Sequence, residues 1–395
     1  MKHVLHVIPS LIPSDSGTIV GGTTNSLINI LGHISGIYRS TVIFGTSIEG
    51  KRHCIGLQER FPTVRFEPIV TVSPRGSSIY GLEILLKMVG SVIKRRINQV
   101  DVVHGHSGYY HYIFHSWTLS VVLQAKAVHS LYCPIDNSTA KYGPFSIWLQ
   151  KILLRLSNNL TAMTKNIHSS LIEVTGNTAS NLDHILPPIV DLDRYVPPVN
   201  KSELRKKLEF CPDDFIVLFV GNLSYSKGVD LFLEALRDVK SQIPNLKVVL
   251  TTEHSLSKGV AREEQMEREI KSLGNLIRRY SIVPNMDELM GVSDVSIFPF
   301  RDTDGPTDYP VAMLESMAIG TPPIGTSIGG IPELIDNGKT GLIVKSEAED
   351  IAKALLYASR SPNRLKEMGI QASEFVNRAS SKERLIAIFA DIYEC

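Results

Sequence analysis

Cysteine is scarce in this chain: four in 395 residues, Cys54, Cys133, Cys211 and Cys395, with no C-x-x-C spacing. That scatter argues against both a disulfide framework and a structural zinc site, and it fits a reducing compartment. Net charge is equally scant at +1, so the sequence gives no global case for a nucleic-acid partner. No stretch has the roughly 20 apolar residues that cross a bilayer. The opening MKHVLHVIPS lacks the apolar run of a signal peptide. A cytoplasmic location, extending to the inner face of the membrane, is the expectation. What remains, 43% hydrophobic and 21% charged residues, is an ordinary globular composition, and 395 residues exceed one hydrophobic core.

Strand-length apolar runs alternate with helix-period segments. HVLHVI at His3, STVIFG at Ser40, DVVHG at Asp101, KAVHS at Lys126 and NLTAM at Asn159 are separated by helical patterns at Thr24–Ile34, Leu82–Ile97, Ile147–Leu156 and Asn166–Val174. Such alternation predicts an α/β protein with parallel, doubly wound sheets. Four prolines in LPPIVDLDRYVPP then break the chain near Val196–Asn200. A second series follows, with strands at Asp214, Leu246, near Ile282, at Asp294 and near Pro323, and helices at Val229–Gln242, Arg262–Leu273, Ala348 and Lys382. Two Rossmann-like domains are predicted, 1–197 and 198–379, with the helix 380–395 packing back on the first. Ligands of such sheets bind at the strand carboxyl ends, so the expected site is a central cleft between the domains.

The residues suited to chemistry cluster at those loop positions. Gly21-Gly22 opens a helix whose free amides can meet an oxygen-rich group, the alternative being a cap from Thr23 or Thr24. A G-x-G-x-x-G fingerprint is missing, which counts against a dinucleotide. His104, His106 and His129 stand at predicted strand ends. His129 is the one expected at substrate, and no carboxylate or Cys spacing makes the trio a metal site. In DFIVLFVGNLSYSKGVDLFLEAL, Lys227 sits in the turn between strand and helix, where its charge suits a diphosphate. Between Gly305 and Gly330, Pro310 starts a short helix whose first amides, from Val311 onward, can seat a phosphate, and Gly320 ends it. Glu315 on that helix is placed to reach a sugar hydroxyl. The D-x-D strings at Asp191 and Asp302 are read as solvated loop acids rather than metal ligands. The basic amphipathic segment Leu82–Ile97, ending Lys94-Arg95-Arg96, is assigned to core packing ahead of an anionic membrane surface, with peripheral membrane contact kept as a partner expectation.

On these residues the chain resembles the retaining glycosyltransferases of family four, which have the two-domain GT-B architecture. The resemblance runs from the Gly-Gly loop through DVVHGH, AKAVHS, LPPIVDLDRYVP, FVGNLSYSKGVDLFLEAL and DVSIFPF to PVAMLESMAIGTPPIGTSIGGIPELIDNGKTGLIV. It implies a nucleotide-diphosphate sugar donor, UDP-linked rather than GDP-linked, a hydroxyl acceptor, and neither metal nor cofactor. It assigns Lys227 to the diphosphate beside Gly221 and Asn222, and Glu315 to the ribose. Tyr309, Pro310 and Val311 become the turn that opens the phosphate helix, with Val283 in the Ile282–Asn285 backbone that reads the donor. His129 falls at the junction of donor and acceptor, and Gly21 and Gly22 near the transferred sugar. Two positions depart from the pattern. The first glutamate of the family's E-x(7)-E motif falls on Thr307, which leaves the sugar contact altered or passed to Asp308 or Asp304. An arginine expected before the lysine turn falls on Asn222. A nucleotide-sugar-binding protein without catalysis, and an NAD-dependent oxidoreductase, are the competing readings.

Overall fold

The computed structural model describes residues 1–11, 21–52, 54–73, 78–108, 110–135, 148–149, 151–155, 159–175, 184–252, 260–280, 283, 285–303 and 307–394. The chain divides into unit 1, Met1–Ile189 with Gly305–Asp308 and Ser381–Cys395, and unit 2, Val190–Asp304 with Tyr309–Ser380. The division falls at Ile189/Val190, within LPPIVDLDRYVPP and a few residues before the expected break near Val196–Asn200.

Unit 1 is built on a parallel sheet of β1 (His3–Ile8), β2 (Arg39–Thr46), β3 (Arg65–Val70), β4 (Val102–Ser107), β5 (Lys126–Leu131), β6 (Leu160–Ala162) and β7 (His184–Ile185), in the order β3-β2-β1-β4-β5-β6-β7. All six residues of β1 are buried, as expected of a central strand covered on both faces. Alternate residues serve opposite layers. Val4, Val102 and Val128 pack under the helices Gly22–Ile34 and Lys382–Glu394, whereas Leu5, Val7 and Val103 pack under Ser78–Lys94. The C-terminal helix fills its share of the first layer with Leu385, Phe389, Ile392 and Tyr393. β3 was not anticipated, because Pro68 and two charges interrupt its apolar pattern. It lies at the sheet edge, where a missing N–H is tolerated.

Unit 2 carries a second parallel sheet of β8 (Phe215–Val220), β9 (Leu246–Thr251), β10 (Ile277–Tyr280), β11 (Val295–Phe298), β12 (Pro323–Thr326) and β13 (Leu342–Val344), ordered β10-β9-β8-β11-β12-β13. Val217, Phe219, Val248, Leu250 and Ile297 meet Phe232, Leu236 and Leu355 in one core. The strand expected near Ile282 is found upstream at Ile277–Tyr280, and Ile282 itself lies outside the described residues. The helix Pro362–Ala379 was also missed by the sequence reading. Most of its exposed surface is polar, and its apolar side, including Leu365, Met368 and Val376, needs a partner to become visible. The helix expected at Ile147–Leu156 is interrupted by positions outside the described residues.

Each strand order reverses once, between β1 and β4 in unit 1 and between β8 and β11 in unit 2. Loops leaving the carboxyl ends of strands at such a reversal diverge and leave room for a ligand.

Candidate functional site

At the reversal in unit 2 the loops after β8 and β11 are drawn together. Gly228 ends a 3-10 turn at Tyr225–Lys227 with φ +63, and a β-carbon there would lie 1.8 Å from the Pro299 carbonyl oxygen. Only glycine permits that approach. The Arg301 amide then donates to the Ser226 carbonyl at 2.9 Å. This close docking fixes Lys227, whose Nζ stands 3.8 Å from the centre of the Phe300 ring. Gly221 lies against the same lysine: a β-carbon there would sit 3.8 Å from Lys227 Cγ. Asn222 turns its side-chain oxygen inward to accept from Ser224 N and Oγ, which stabilises the loop.

Sequence reasoning missed two further cations beside this loop. Arg301 and Arg262 place their guanidinium carbons 4.6 and 4.9 Å from the centre of the Tyr225 ring. Asp230 joins them, 2.6 Å from Arg301 and 3.0 Å from Arg262. Burial alone would raise the Asp230 carboxyl, but hydrogen bonds from the two arginines outweigh it and hold the pKa below the ordinary value. One carboxylate thus serves two guanidiniums while Lys227 adds a third positive charge at the same edge. The residues come from distant parts of the chain, and no local spacing announces the cluster.

The helix Val311–Ala318 begins at Pro310, its N-cap, with no side-chain cap, and Gly320 with φ +88 follows its end. Glu315 is buried on this helix and receives a hydrogen bond from Tyr195. Burial and then the Glu315 charge push the Tyr195 hydroxyl well above its usual pKa, so it remains a donor. Tyr195, from the proline-rich stretch, is another residue the sequence reading did not single out. Tyr309 and Val311 are buried beside the helix start. Val283 is half-buried, and its neighbours Ile282 and Pro284 lie outside the described residues.

In unit 1, Gly21 is the N-cap of the helix Gly22–Ile34, with φ +112, and Thr23 and Thr24, the alternative caps, lie inside the helix rather than at its cap position. Thr307 packs directly on this start: a β-carbon on Gly22 would meet its Cγ2 at 2.5 Å and its Oγ1 at 2.6 Å. Asp308 is fully buried, its carboxylate accepting from Thr164 Oγ1 at 2.5 Å and Asn166 Nδ2 at 2.9 Å, and its amide donates to the Tyr132 carbonyl at 2.7 Å. Asp308 therefore fastens its own segment through both carboxylate oxygens. Asp304, the other candidate, lies outside the described residues.

The histidines differ from expectation. His129 is fourth of six residues in β5, which runs one residue beyond the expected KAVHS because Ser130 and Leu131 continue the ladder to β4 and β6. It is buried, its Nδ1 is 2.9 Å from Ser116 Oγ, and burial lowers its pKa to about 3. His104 and His106 also sit within their strand, fully buried. His6, His104 and His106 bring ring nitrogens within 4.8 Å of one another. The His104 and His106 rings are tilted by 34° with centres 4.0 Å apart, and both His104 nitrogens are engaged, by Tyr393 and Ser130 at 2.7 Å. His6 Nδ1 lies 3.1 Å from His106 Nε2 and His106 Nδ1 3.0 Å from the Tyr132 hydroxyl, so the trio forms a hydrogen-bonded network.

The fold is that of the GT-B glycosyltransferases, with two Rossmann-like domains. Over the whole chain it matches sucrose-phosphate synthase from Thermosynechococcus elongatus with TM-score 0.79 and 18% identity, covering 100% of this chain and 98% of the other. It matches Anabaena HepE, solved in complex with UDP and glucose, with TM-score 0.77 and 16% identity over 100% of both chains. Residues 200–375 match the model of the family described as Glycosyl transferases group 1. The chain is 30% identical over 222 residues to a D-inositol 3-phosphate glycosyltransferase of Rhodococcus erythropolis, 55% of this chain and 49% of that protein. The enzyme of the same name from Nocardia farcinica is 26% identical over 341 residues, 81% and 73% of the two chains. The chain thus spans about half the length of the first of these relatives.

Proposed function

We propose that this protein transfers a glycosyl group from a nucleotide-diphosphate sugar to a hydroxyl acceptor, with retention at the anomeric carbon. The observation that carries the reading is the convergence of Lys227, Arg301 and Arg262 at the strand reversal of unit 2. Positive charge held in a fixed loop stabilises a departing diphosphate as its charge develops. Glu315, held by Tyr195, takes the ribose hydroxyls, and the uncapped start of Val311–Ala318 offers its amides to a phosphate. Gly21, Gly22 and Thr307 are assigned to the transferred sugar. In the reaction the bond from the anomeric carbon to the diphosphate oxygen breaks and one to the acceptor oxygen forms on the same face. The acceptor proton passes to the departing phosphate oxygen, so no protein base and no metal is required. UDP-linked donors are favoured because HepE was solved with UDP and with UDP-glucose. The buried lowered-pKa His129 is left neutral in this scheme, without proton-transfer duty.

A donor-binding protein without catalysis is the second reading. It is favoured by one observation: Thr307 offers no carboxylate, and that of Asp308 is committed to Thr164 and Asn166. A calorimetric donor screen followed by mass analysis of products with lipid, sugar and polyol acceptors separates the two. Donor binding without transfer supports the second reading, and absence of nucleotide-sugar binding refutes both.

A further inference from the structure

The helix Ser78–Lys94 has two apolar faces where its unit needs one. Ile84, Met88 and Val92 are buried against the sheet, and Leu85 is buried as well. Leu82, Leu86 and Ile93 point away from it and are 59, 62 and 66% exposed. At about 100° per residue these three fall within an arc of roughly 40°, a stripe about 16 Å long. The half-buried Val89 lies on the edge of the same arc. Val72, 83% exposed, is held beside the helix start by its amide's hydrogen bond to Glu83. Core packing and surface activity, alternatives in the sequence reading, are thus assigned to different faces of the same helix.

Charge surrounds the stripe asymmetrically. Lys87, Lys94, Arg95 and Arg96 lie on or just after the helix, and Arg65 on the neighbouring strand. The carboxylates facing them are Glu83, paired with Lys87 at 2.6 Å, and Glu67, paired with Arg65 and Arg95 at 2.5 Å. Lys94 and Arg96 form no ion pair among the described residues. A linear apolar stripe flanked by surplus lysine and arginine suits the boundary between acyl chains and acidic headgroups. We infer that this face docks unit 1 on a bilayer surface rich in anionic lipid, an interaction separate from the chemistry proposed above. No helix among the described residues is long and apolar enough to cross a membrane, so the contact is with the surface.

The test uses the full chain and vesicles of phosphatidylcholine, with and without phosphatidylglycerol, in a flotation assay. The protein should float with the anionic vesicles, far less with the neutral ones, and less as salt is raised, a readout that needs no variant. Leu86→Gln/Ile93→Gln should weaken binding at least about ten-fold, since each side chain loses its burial in the acyl region. Lys94→Glu/Arg96→Glu should abolish the preference for anionic lipid. Both variants should keep the parental melting temperature because the altered side chains are exposed. Failure to bind anionic vesicles, or binding unchanged in both variants, overturns the inference. So does self-association that the Leu86→Gln/Ile93→Gln variant removes in the absence of vesicle binding, which would make the stripe an interface between copies.

Discussion

Gly228→Ala is the perturbation that most directly tests how the cationic loop is held. Two costs combine there, and a second glycine separates them. An L-residue in the left-handed region is disfavoured by about 1–2 kcal/mol, partly offset by about 0.4–1 kcal/mol from a stiffer unfolded chain. Gly274, φ +54 with nothing within 4 Å of a β-carbon, carries this cost alone. At Gly228, φ +63, the β-carbon would also stand 1.8 Å from the Pro299 oxygen, and reaching even 3.0 Å requires the two backbones to part by 1.2 Å. That movement overpacks the loop, about 1–3 kcal/mol, and strains the Arg301–Ser226 hydrogen bond, about 1 kcal/mol. Gly274→Ala should therefore cost about 1 kcal/mol and Gly228→Ala about 3–5 kcal/mol. For a unit of this size these correspond to melting shifts of roughly 3 °C and at least roughly 8 °C. Thermal and urea unfolding measure stability, and calorimetry with UDP reads the loop, whose affinity should fall only in Gly228→Ala. Equal melting shifts for the two variants would refute the close-approach argument.

Other consequences are independent of that one. Lys227→Ala should lower kcat by about 10²–10³ through lost stabilisation of the leaving diphosphate, with little change in melting temperature; undiminished turnover would remove Lys227 from the mechanism. Asp308→Ala should destabilise unit 1 by about 3–5 kcal/mol, because Thr164 and Asn166 lose hydrogen bonds to a buried charge, while leaving UDP affinity intact. A loss of UDP affinity without loss of stability would return Asp308 to the donor site. Acidification should destabilise the protein below about pH 6.5. Burial lowers His6 and His129 to about 3 and His115 to about 4, so the unfolded chain takes up protons that the folded one refuses. Each contributes up to about 1.4 kcal/mol per pH unit of falling pH, fully present above the unfolded pKa and lost toward the folded one. His129→Gln should flatten the melting temperature's dependence on pH between 6 and 4, and an unchanged slope would contradict its burial as a neutral ring.

Much of the architecture was legible in the sequence because it is written in local pattern. HVLHVI and DFIVLFVG are continuous apolar runs that suit central parallel strands, and Gly320 and Gly228 mark turns by their conformational freedom. Lys227 and Glu315 could be singled out because each sits one turn from a strand or helix boundary. The edge strand with Pro68 and the polar-faced helix Pro362–Ala379 could not be read this way, since their stability comes from what they pack against. For the histidines, a strand's end is set by its neighbours' ladders, and pairing one residue beyond the expected KAVHS, to Leu131, leaves His129 within β5.

The sequence by itself determined the alternation of strands and helices and the Rossmann-like halves, and it singled out Lys227 and Glu315 as candidates. Only the tertiary structure decided which charges act together. Arg262, Arg301, Tyr225 and Asp230 meet because sheet order sets β9 and β11 on either side of β8, so that the segments following all three strands converge, and Asp308 is held because Thr164 and Asn166, more than 140 positions away, reach its carboxylate. Electrostatic and hydrogen-bonding partners are chosen by distance in space, which a one-dimensional spacing does not encode.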